Sequence, residues 1–175
     1  MRKVLFALVA TALFLQGCEG PVGPPGRDGL NGEDGLIGEV FEVSGVNFTA
    51  GNSYRVFYDF DPAIYESDKV IGFIHEGEDN LGDDIWEPLP QTFFNGGNTF
   101  VYTLDFTRTG FSFFLAGNSN LANVPVAART NRIFRVVVIP AAFVRTVNTN
   151  SFKDVSAKLG LSDKDVVKIT PQIEM

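Results

Sequence analysis

A strict three-residue repeat of glycine is the feature that most restricts how this chain can fold. Glycine occupies every third position from residue 20 to residue 38, in the triplets GPV, GPP, GRD, GLN, GED, GLI and GEV. Seven glycines in one register do not arise by chance. A collagen triple helix requires this spacing, because only hydrogen fits at its crowded axis. We therefore predict an extended, collagen-like stalk over residues 18–40, outside any globular core.

Two extended structures fit the repeat: a trimeric collagen-like rod and a flexible single-chain tether. Proline occurs only at positions 21, 24 and 25, so most of the segment is not fixed in advance in the polyproline conformation. This favours the tether, which would hold the following domain away from a surface. The rod, at about 3 Å per residue, would be roughly 60 Å long or less and would make the chain a homotrimer.

The segment before the repeat has the parts of a bacterial lipoprotein signal peptide. Arg2 and Lys3 are basic, residues 4–15 are almost wholly apolar, and the sequence LQGC then ends at Cys18. This apolar run is too short for a membrane-spanning helix, which needs about 20 residues, but it fits a signal-peptide core. LQGC resembles the lipobox of bacterial lipoproteins, in which the cysteine is acylated and becomes the first residue. We predict a signal peptide at 1–17 and a lipid on Cys18.

The predicted lipid accounts for the only cysteine of the chain. With Cys18 acylated, no thiol remains for a disulfide, for thiol catalysis or for a cysteine-ligated metal. Several acyl chains, at about 0.8 kcal/mol per buried methylene, anchor a protein stably where one chain would not. We therefore expect an exported protein whose membrane partner is reached through the lipid. We expect the outer membrane, facing either the periplasm or the cell surface.

Removal of the signal peptide would leave a distinctly acidic chain. Residues 1–17 contain two basic residues and no acidic one, so the formal charge moves from −7 to −9 on the remaining 158 residues. An acidic surface repels phosphate backbones and anionic lipid headgroups, so we expect no nucleic-acid partner. About 135 residues follow the repeat, which is enough for one domain with a hydrophobic core. We place this domain at residues 41–175.

Beyond the repeat, the hydrophobic pattern has the two-residue period of β-strands. Phe100, Tyr102, Leu104 and Phe106 alternate with other residues as in a half-buried strand. The same period occurs in residues 54–60. Further strand candidates are residues 40–48, 69–76 and 111–115. Short strands with turn signals about every ten residues predict an all-β fold, a small antiparallel β-sandwich that is Ig-like or similar.

Two segments are expected to lie in the middle and at the edge of this sandwich. Residues 133–139 are apolar on nearly both faces and predict a central strand, which Pro140 ends. Residues 85–94 contain Pro88 and Pro90, which cannot donate to a ladder, so they predict an edge or bulged strand. The sequence NGGN at residues 95–98 predicts a turn.

The end of the chain carries signals for a short C-terminal helix. Ser151 fits an N-cap, Phe152, Val155 and Leu159 fall on one helical face, and Gly160 fits a C-cap. We expect this helix to close one end of the sandwich. Residues 162–170 are compatible with a helical turn or with a last strand.

The chain resembles a family of short collagen-like lipoproteins of Bacteroidetes-type bacteria. The resemblance rests on the sequence GCEGP at residues 17–21 with the triplets that follow, and on the segments 84–92 and 134–140. It implies a lipid anchor, a Gly-X-Y segment and a small β-rich domain. It implies no catalytic residues.

Few residues of the β domain suggest chemistry. His75 is the only histidine and, in line with Ile71 and Phe73, is interpreted as a structural or solvated residue. One histidine without a free cysteine makes a zinc site improbable. Trp86 is the only tryptophan; we interpret it as a core residue, with an exposed residue that stacks on a sugar or a partner as the alternative.

An acidic run at residues 76–84 is the one candidate for a metal site. Calcium prefers six to eight oxygen ligands, and this run contains five carboxylates within nine residues. These belong to Glu76, Glu78, Asp79, Asp83 and Asp84. The run lacks EF-hand spacing and lies where a polar hairpin loop is expected, so we favour a solvated hairpin and expect no cofactor besides the lipid.

Together these features predict a lipid-anchored protein of the cell envelope. We expect its β domain to make structural or binding contacts, with a protein or glycan ligand left open, and to be non-enzymatic. The alternative is a lipid-anchored hydrolase of glycans or other envelope substrates. Such an enzyme needs two acids about 5 to 10 Å apart in a cleft, which no sequence spacing can reveal.

Overall fold

The computed structural model describes residues 38–169, and these form two β-sheets packed as a sandwich. The predicted signal peptide, Cys18 and the first six Gly-X-Y triplets lie outside the described residues. One sheet, sheet 1, contains β1 (Glu39–Val46), β3 (Lys69–Glu78), β4 (Asp84–Pro88), β8 (Arg132–Ile139) and β9 (Val166–Ile169). Sheet 2 contains β2 (Arg55–Asp59), β5 (Gln91–Asn95), β6 (Asn98–Phe106) and β7 (Gly110–Gly117). The all-β prediction is confirmed.

The core between the sheets is built largely from phenylalanine. The rings of Phe113 on β7 and Phe134 on β8 stack with centroids 4.3 Å apart, and Phe48 meets Phe134 edge-on at 6.0 Å. Phe113 and Phe134 alternate along their strands with residues that face outward. The two-residue period therefore places one side of each sheet in a shared aromatic core.

The strand order places the long apolar strand at the centre of sheet 1. Its order is β4-β3-β8-β1-β9, and that of sheet 2 is β2-β7-β6-β5. β8 pairs with both β3 and β1, which confirms the central strand predicted over residues 133–139. The pairs are antiparallel except that β9 runs parallel to β1. An immunoglobulin sandwich pairs its first and second strands, whereas here β1 and β2 belong to different sheets.

The predicted edge strand over residues 85–94 is two strands in two sheets. β4 forms one edge of sheet 1 and β5 forms one edge of sheet 2. The chain passes between the sheets at Pro88, Leu89 and Pro90, where two of three residues lack a backbone donor. The NGGN turn joins β5 to β6 as predicted, with Asn95 opposite Asn98 and both glycines at positive φ.

The C-terminal helix lies on the outer face of sheet 1. Helix α1 (Val126–Arg129) is a single turn, and α2 (Phe152–Leu159) is the helix predicted from the capping residues. Ser151 Oγ accepts a hydrogen bond from the Asp154 backbone N–H at 3.2 Å, and Gly160 ends α2 with φ of 68°. The expectation that α2 closes one end of the sandwich is wrong. It covers a second apolar cluster formed by Val40, Phe73, Val137 and Ile139.

Both interpretations of residues 162–170 are partly right. Asp163–Asp165 form a 3-10 turn, in which the Ser162 and Asp165 side chains and backbone cap one another, and β9 follows directly. β9 pairs with the strand that begins the domain, so both ends of the described chain meet at this side of sheet 1.

The last glycine of the Gly-X-Y repeat belongs to the β domain. Gly38 is buried, and a Cβ placed on it would lie only 2.6 Å from Leu159 Cδ1 of α2. β1 begins at the next residue, Glu39. The sheet therefore starts inside the segment that the sequence assigns to the stalk, two residues before the expected domain boundary.

Candidate functional site

The two sheets differ in what covers their outer sides. Sheet 1 is covered by α2 and the segment before it, which pack on Phe73 and its neighbours. On sheet 2, Phe57 and Phe94 point away from the core and are 73 % and 78 % exposed. Among the described residues, nothing covers these two rings. We call the outward side of sheet 2 the open face.

The open face combines aromatic and threonine side chains with a few charged residues. Its outward positions follow from the alternation of buried and exposed residues along β2, β5, β6 and β7. They are Arg55, Phe57, Asp59, Thr92, Phe94, Thr99, Val101, Thr103, Asp105, Ser112, Phe114 and Ala116. Three of these twelve residues are charged, and none is lysine. The face therefore presents three aromatic rings and three threonine side chains, and Asp59 is its one charge outside the pair of Arg55 and Asp105.

Arg55 organises one half of the open face. Its guanidinium lies 3.8 Å from the centroid of the Phe114 ring and 5.7 Å from that of Phe57. One nitrogen donates to Asp105 Oδ2 at 2.6 Å and to Ser112 Oγ at 2.6 Å. Ser112 in turn donates to the other oxygen of Asp105. This network holds the arginine flat against the sheet, so Phe57 stands beyond it as an isolated apolar projection.

The same network lowers the pKa of Asp105. Burial by itself would raise the pKa of this carboxyl, but hydrogen bonds from Ser112 and Arg55 and the charge of Arg55 lower it below its ordinary value. Asp105 is therefore ionised at neutral pH and neutralises Arg55. The centre of the open face carries no net charge as a result.

The geometry of the sheet sets the size of the open face. Phe57 lies on the β2 edge in line with Ser112 and Asp105, while Phe94 lies on the β5 edge opposite Thr99. Three strand spacings of about 4.8 Å and six residues at about 3.3 Å separate the two rings, which places them roughly 25 Å apart. This is a flat surface with an exposed ring at two opposite corners, and it is not a cleft.

The acidic run forms the hairpin between β3 and β4. Asp79 Oδ1 accepts hydrogen bonds from the backbone N–H groups of Leu81 at 2.7 Å and Asp83 at 3.0 Å, and these contacts lower the pKa of Asp79. Glu76 pairs with Arg132 at 2.7 Å, and Asp84 lies 3.0 Å from His75 Nε2. Glu78, Asp79 and Asp83 are exposed.

Three of the five carboxylates, those of Glu76, Asp79 and Asp84, therefore have separate partners. In residues 38–169, no group of three or more acidic, histidine or cysteine side chains is arranged to hold a metal ion. The calcium site stays a hypothesis that a binding measurement must decide. His75 lies on the outward side of sheet 1, with its ring 5.0 Å from that of Trp86.

Trp86 lies neither in the core between the sheets nor free in solvent. It is half-buried on β4, at the edge of the cluster under α2. Its ring lies 5.8 Å from Phe152 and 4.2 Å from the guanidinium of Arg135. Trp86 therefore supports the docking of α2, and one of its two faces is already occupied by protein.

A shallow pocket among the described residues tests the hydrolase alternative. It has a volume of about 100 Å³ and is lined by Glu39, Asp68, Tyr65 and Pro140 with four apolar neighbours. Ligand cavities are usually about 300 Å³ or larger. Glu39 is exposed, so this pocket does not enclose the two buried acids that a glycosidase would need.

Comparison with known proteins adds no functional assignment. No protein-family model, no curated protein and no solved structure matches the chain. Within residues 38–169, no helix combines the length and the apolar composition needed to cross a bilayer. The open face therefore has to be interpreted from its own chemistry.

Sequence analysis did not identify the open face, although a signal for it exists. In β2, Phe57 occupies an outward position between Val56 and Tyr58. Phe94 similarly follows Phe93 on β5 and breaks the alternation. An aromatic residue in the polar phase of a strand indicates either a second core or an exposed contact. Only the sheet packing shows which of the two applies.

Proposed function

We propose that this chain is an exported, lipid-anchored protein of the cell envelope whose β domain is a non-enzymatic binding module. The open face of sheet 2 is its contact surface. The observation that carries the proposal is the exposure of Phe57 and Phe94, both above 70 %, on a sheet face that no described segment covers. Aromatic side chains are enriched at protein–protein interfaces relative to the rest of a protein surface.

The shape of the open face favours a protein partner. A single sugar ring is too small to contact both exposed rings, which stand roughly 25 Å apart on a flat sheet. Four strands at about 4.8 Å by roughly 25 Å along them present a footprint of about 500 Å². This is below the roughly 800 Å² per partner of a standard interface and suits a transient contact.

The N-terminal sequence supports the proposed location of this module and its separation from the membrane. A lipid on Cys18 would fix the chain to the outer membrane, and the Gly-X-Y segment would hold the β domain away from it. The motif GCEGP and the seven triplets support this part of the proposal. Circular dichroism of the lipid-free chain tests the rod: a cooperatively melting positive band near ~220 nm and a trimer mass indicate a triple helix, and their absence indicates a tether.

The anchor is tested by mass spectrometry of the protein extracted from its own membranes. We expect a chain that begins at Cys18 and carries the mass of several acyl chains. A Cys18→Ser variant should keep its signal peptide or leave the membrane fraction. An unmodified cysteine in the wild-type chain would refute the anchor.

The contact surface is tested by chemical cross-linking in the intact bacterium, followed by membrane purification. A Phe57→Ser, Phe94→Ser double variant should lose a cross-linked partner that the wild type retains. The matched control changes two exposed apolar residues elsewhere, Leu81→Ser and Tyr65→Ser, which are 87 % and 57 % exposed. A partner retained by the first variant, or lost equally from both, would refute the assignment to the open face.

A further inference from the structure

The free edge of β5 differs from the other sheet edges among the described residues. A sheet edge presents unpaired backbone groups, and proteins protect such edges with charges, proline or short strands. β4 carries Asp84, Glu87 and Pro88, β9 has only four residues with Lys168 among them, and β2 carries Arg55 and Asp59. β5 reads Gln-Thr-Phe-Phe-Asn, with no charge and no proline.

The hairpin register determines which backbone groups of β5 are free. Asn95 pairs with Asn98 across a two-residue turn, and in such a hairpin this pair is hydrogen-bonded. Because hydrogen-bonded and non-hydrogen-bonded pairs alternate, Phe93 and Gln91 also bond to β6. The N–H and C=O groups of Thr92 and Phe94 therefore point away from β6, along the free edge.

We propose that the β5 edge is a homotypic contact, at which β5 of one chain pairs antiparallel with β5 of a second copy. A two-fold axis through Phe93 places Thr92 opposite Phe94 of the second copy, and Phe94 opposite its Thr92. All four free groups on each edge then meet complementary groups, which makes four backbone hydrogen bonds. In this two-fold register, no free N–H or C=O group of Thr92 or Phe94 is left without a partner.

Side-chain chemistry supports a second copy as the occupant. Thr92 and Phe94 both lie on the open face, and an aromatic ring beside a β-branched side chain is a favourable cross-strand pair. A chain with formal charge −7 repels its own copies through most of its surface. The β5 edge places no charge opposite a charge, so two copies approach there at the least electrostatic cost.

Pairing at this edge would join two four-stranded sheets into one sheet of eight strands. The open faces of both copies would become continuous, with the two Phe94 rings near the centre. The contact itself requires neither the lipid nor the partner proposed above. Anchoring in one membrane would strengthen it, because tethering raises the effective concentration of weakly associating chains.

Disulfide trapping in the mature chain with Cys18→Ser tests the contact and its register. The two variants are Thr92→Cys and Phe94→Cys, each then holding a single thiol. Directly opposed residues of a hydrogen-bonded pair have Cα atoms about 5.5 Å apart, within the range for a disulfide. In a dimer of two identical variants, the Cα atoms of the two cysteines would lie more than about 7 Å apart, which is too far for a disulfide.

We therefore expect covalent dimers when the two variants are mixed under mild oxidation, and few when either is oxidised alone. A mixture of Leu81→Cys and Tyr65→Cys chains, two exposed positions elsewhere, measures cross-linking by random collision. Equal yields in all samples, or dimers in the Thr92→Cys sample alone, would overturn the proposed register. No yield above the collision background would overturn the contact.

A substitution at the edge separates this contact from the binding function of the open face. Thr92→Pro removes one free N–H group from β5 and leaves Phe57 and Phe94 in place. It should weaken self-association in sedimentation equilibrium by about tenfold or more. Phe57→Lys, on the opposite edge of sheet 2, should leave self-association unchanged while it alters the surface proposed for the partner. If Phe57→Lys weakens it as much as Thr92→Pro, β5 is not the contact.

Discussion

The ion pair between Glu42 and Arg135 offers the sharpest test of how α2 is held on sheet 1. Arg135 lies on the central strand β8, opposite Glu42 on β1, and their side chains are only 9 % and 13 % exposed. Arg135 Nε donates a hydrogen bond to Glu42 Oε2 at 3.0 Å, and a terminal nitrogen of Arg135 lies 2.9 Å from the same oxygen. The guanidinium also lies over the neighbouring rings of Trp86 and Phe152, 4.2 and 4.7 Å from their centroids.

Removing one partner should leave a buried charge without compensation. Breaking a buried pair in this way typically costs about 3 to 5 kcal/mol. Lys168 lies 3.9 Å from Glu42, and Asp163 lies 3.8 Å from Arg135, and both are largely exposed. Because these can move closer, we expect the lower end of the range, about 3 kcal/mol, for Glu42→Leu or Arg135→Met. In a domain of this size that is roughly 10 °C in Tm.

The double variant distinguishes a coupled pair from two independent contacts. Replacing both charges by apolar residues leaves nothing unpaired, so its free energy of unfolding should lie within about 1 kcal/mol of the wild type. Urea unfolding followed by far-UV circular dichroism measures the free energy. The fluorescence of Trp86, the only tryptophan, provides a second probe of the same transition.

Additive losses would refute this reasoning. If the double variant loses about 6 kcal/mol, the sum of the two single losses, the pair is not a coupled buried unit. The matched control is the more exposed pair on the other sheet, Arg55 with Asp105, whose side chains are 29 % and 56 % exposed. Asp105→Leu should cost about 1 kcal/mol or less, as is usual for surface pairs.

Three further predictions concern packing, alkaline pH and calcium. Gly110→Ala should lower the free energy of unfolding in urea by about 2 to 3 kcal/mol, because the added Cβ would lie 2.5 Å from the backbone oxygen of Tyr58. Gly51→Ala, whose Cβ meets nothing closer than 3.7 Å, should stay within about 0.5 kcal/mol of the wild type; equal losses would contradict the packing argument. Burial raises the pKa of Tyr102 to about 12 and that of Tyr58 further. A raised pKa contributes stability that is complete below pH 10 and is lost as pH rises through the folded pKa. In a Tyr54→Phe, Tyr65→Phe variant only Tyr58 and Tyr102 remain. Its tyrosinate absorbance should therefore stay low at pH 10 and rise only at higher pH, and ionisation in the folded state near pH 10 would contradict this. Because we interpret the acidic run as a solvated hairpin, we expect the same Tm with calcium and with chelator. A calcium site, with calcium at 100 times its Kd, would add about 2.7 kcal/mol to the free energy of unfolding, and the resulting rise of several degrees in Tm would establish the site.

How far the candidate site could be predicted is shown by Phe57 and Phe94. Their positions in the alternation of β2 and β5 can be derived from the sequence. Their exposure cannot, because an outward phenylalanine on sheet 1 is buried: Phe73 on β3 is fully buried in the cluster under α2 and the segment before it. Covering one sheet and not the other depends on where the last forty residues pack, which local periodicity does not encode.

Residues 85–94 show the corresponding limit for the fold. The prolines predict an interrupted edge strand, and the interruption is present at Pro88 and Pro90. That the strands on either side belong to different sheets depends on which partners they find, β3 for β4 and β6 for β5. Proline removes a hydrogen-bond donor, but it does not select the next partner.

The sequence by itself determined the elements of this domain, because two-residue alternation, glycine turns and a serine cap act over a few neighbouring residues. The proposed anchor and stalk rest on the sequence alone, through the single cysteine and the Gly-X-Y register. Only the tertiary structure decided the assignment of strands to sheets, the burial of Gly38 under α2 and the open face of sheet 2. These features depend on contacts between residues far apart in the chain. Bringing such residues together costs loop entropy, and only the close packing of the whole core offsets that cost.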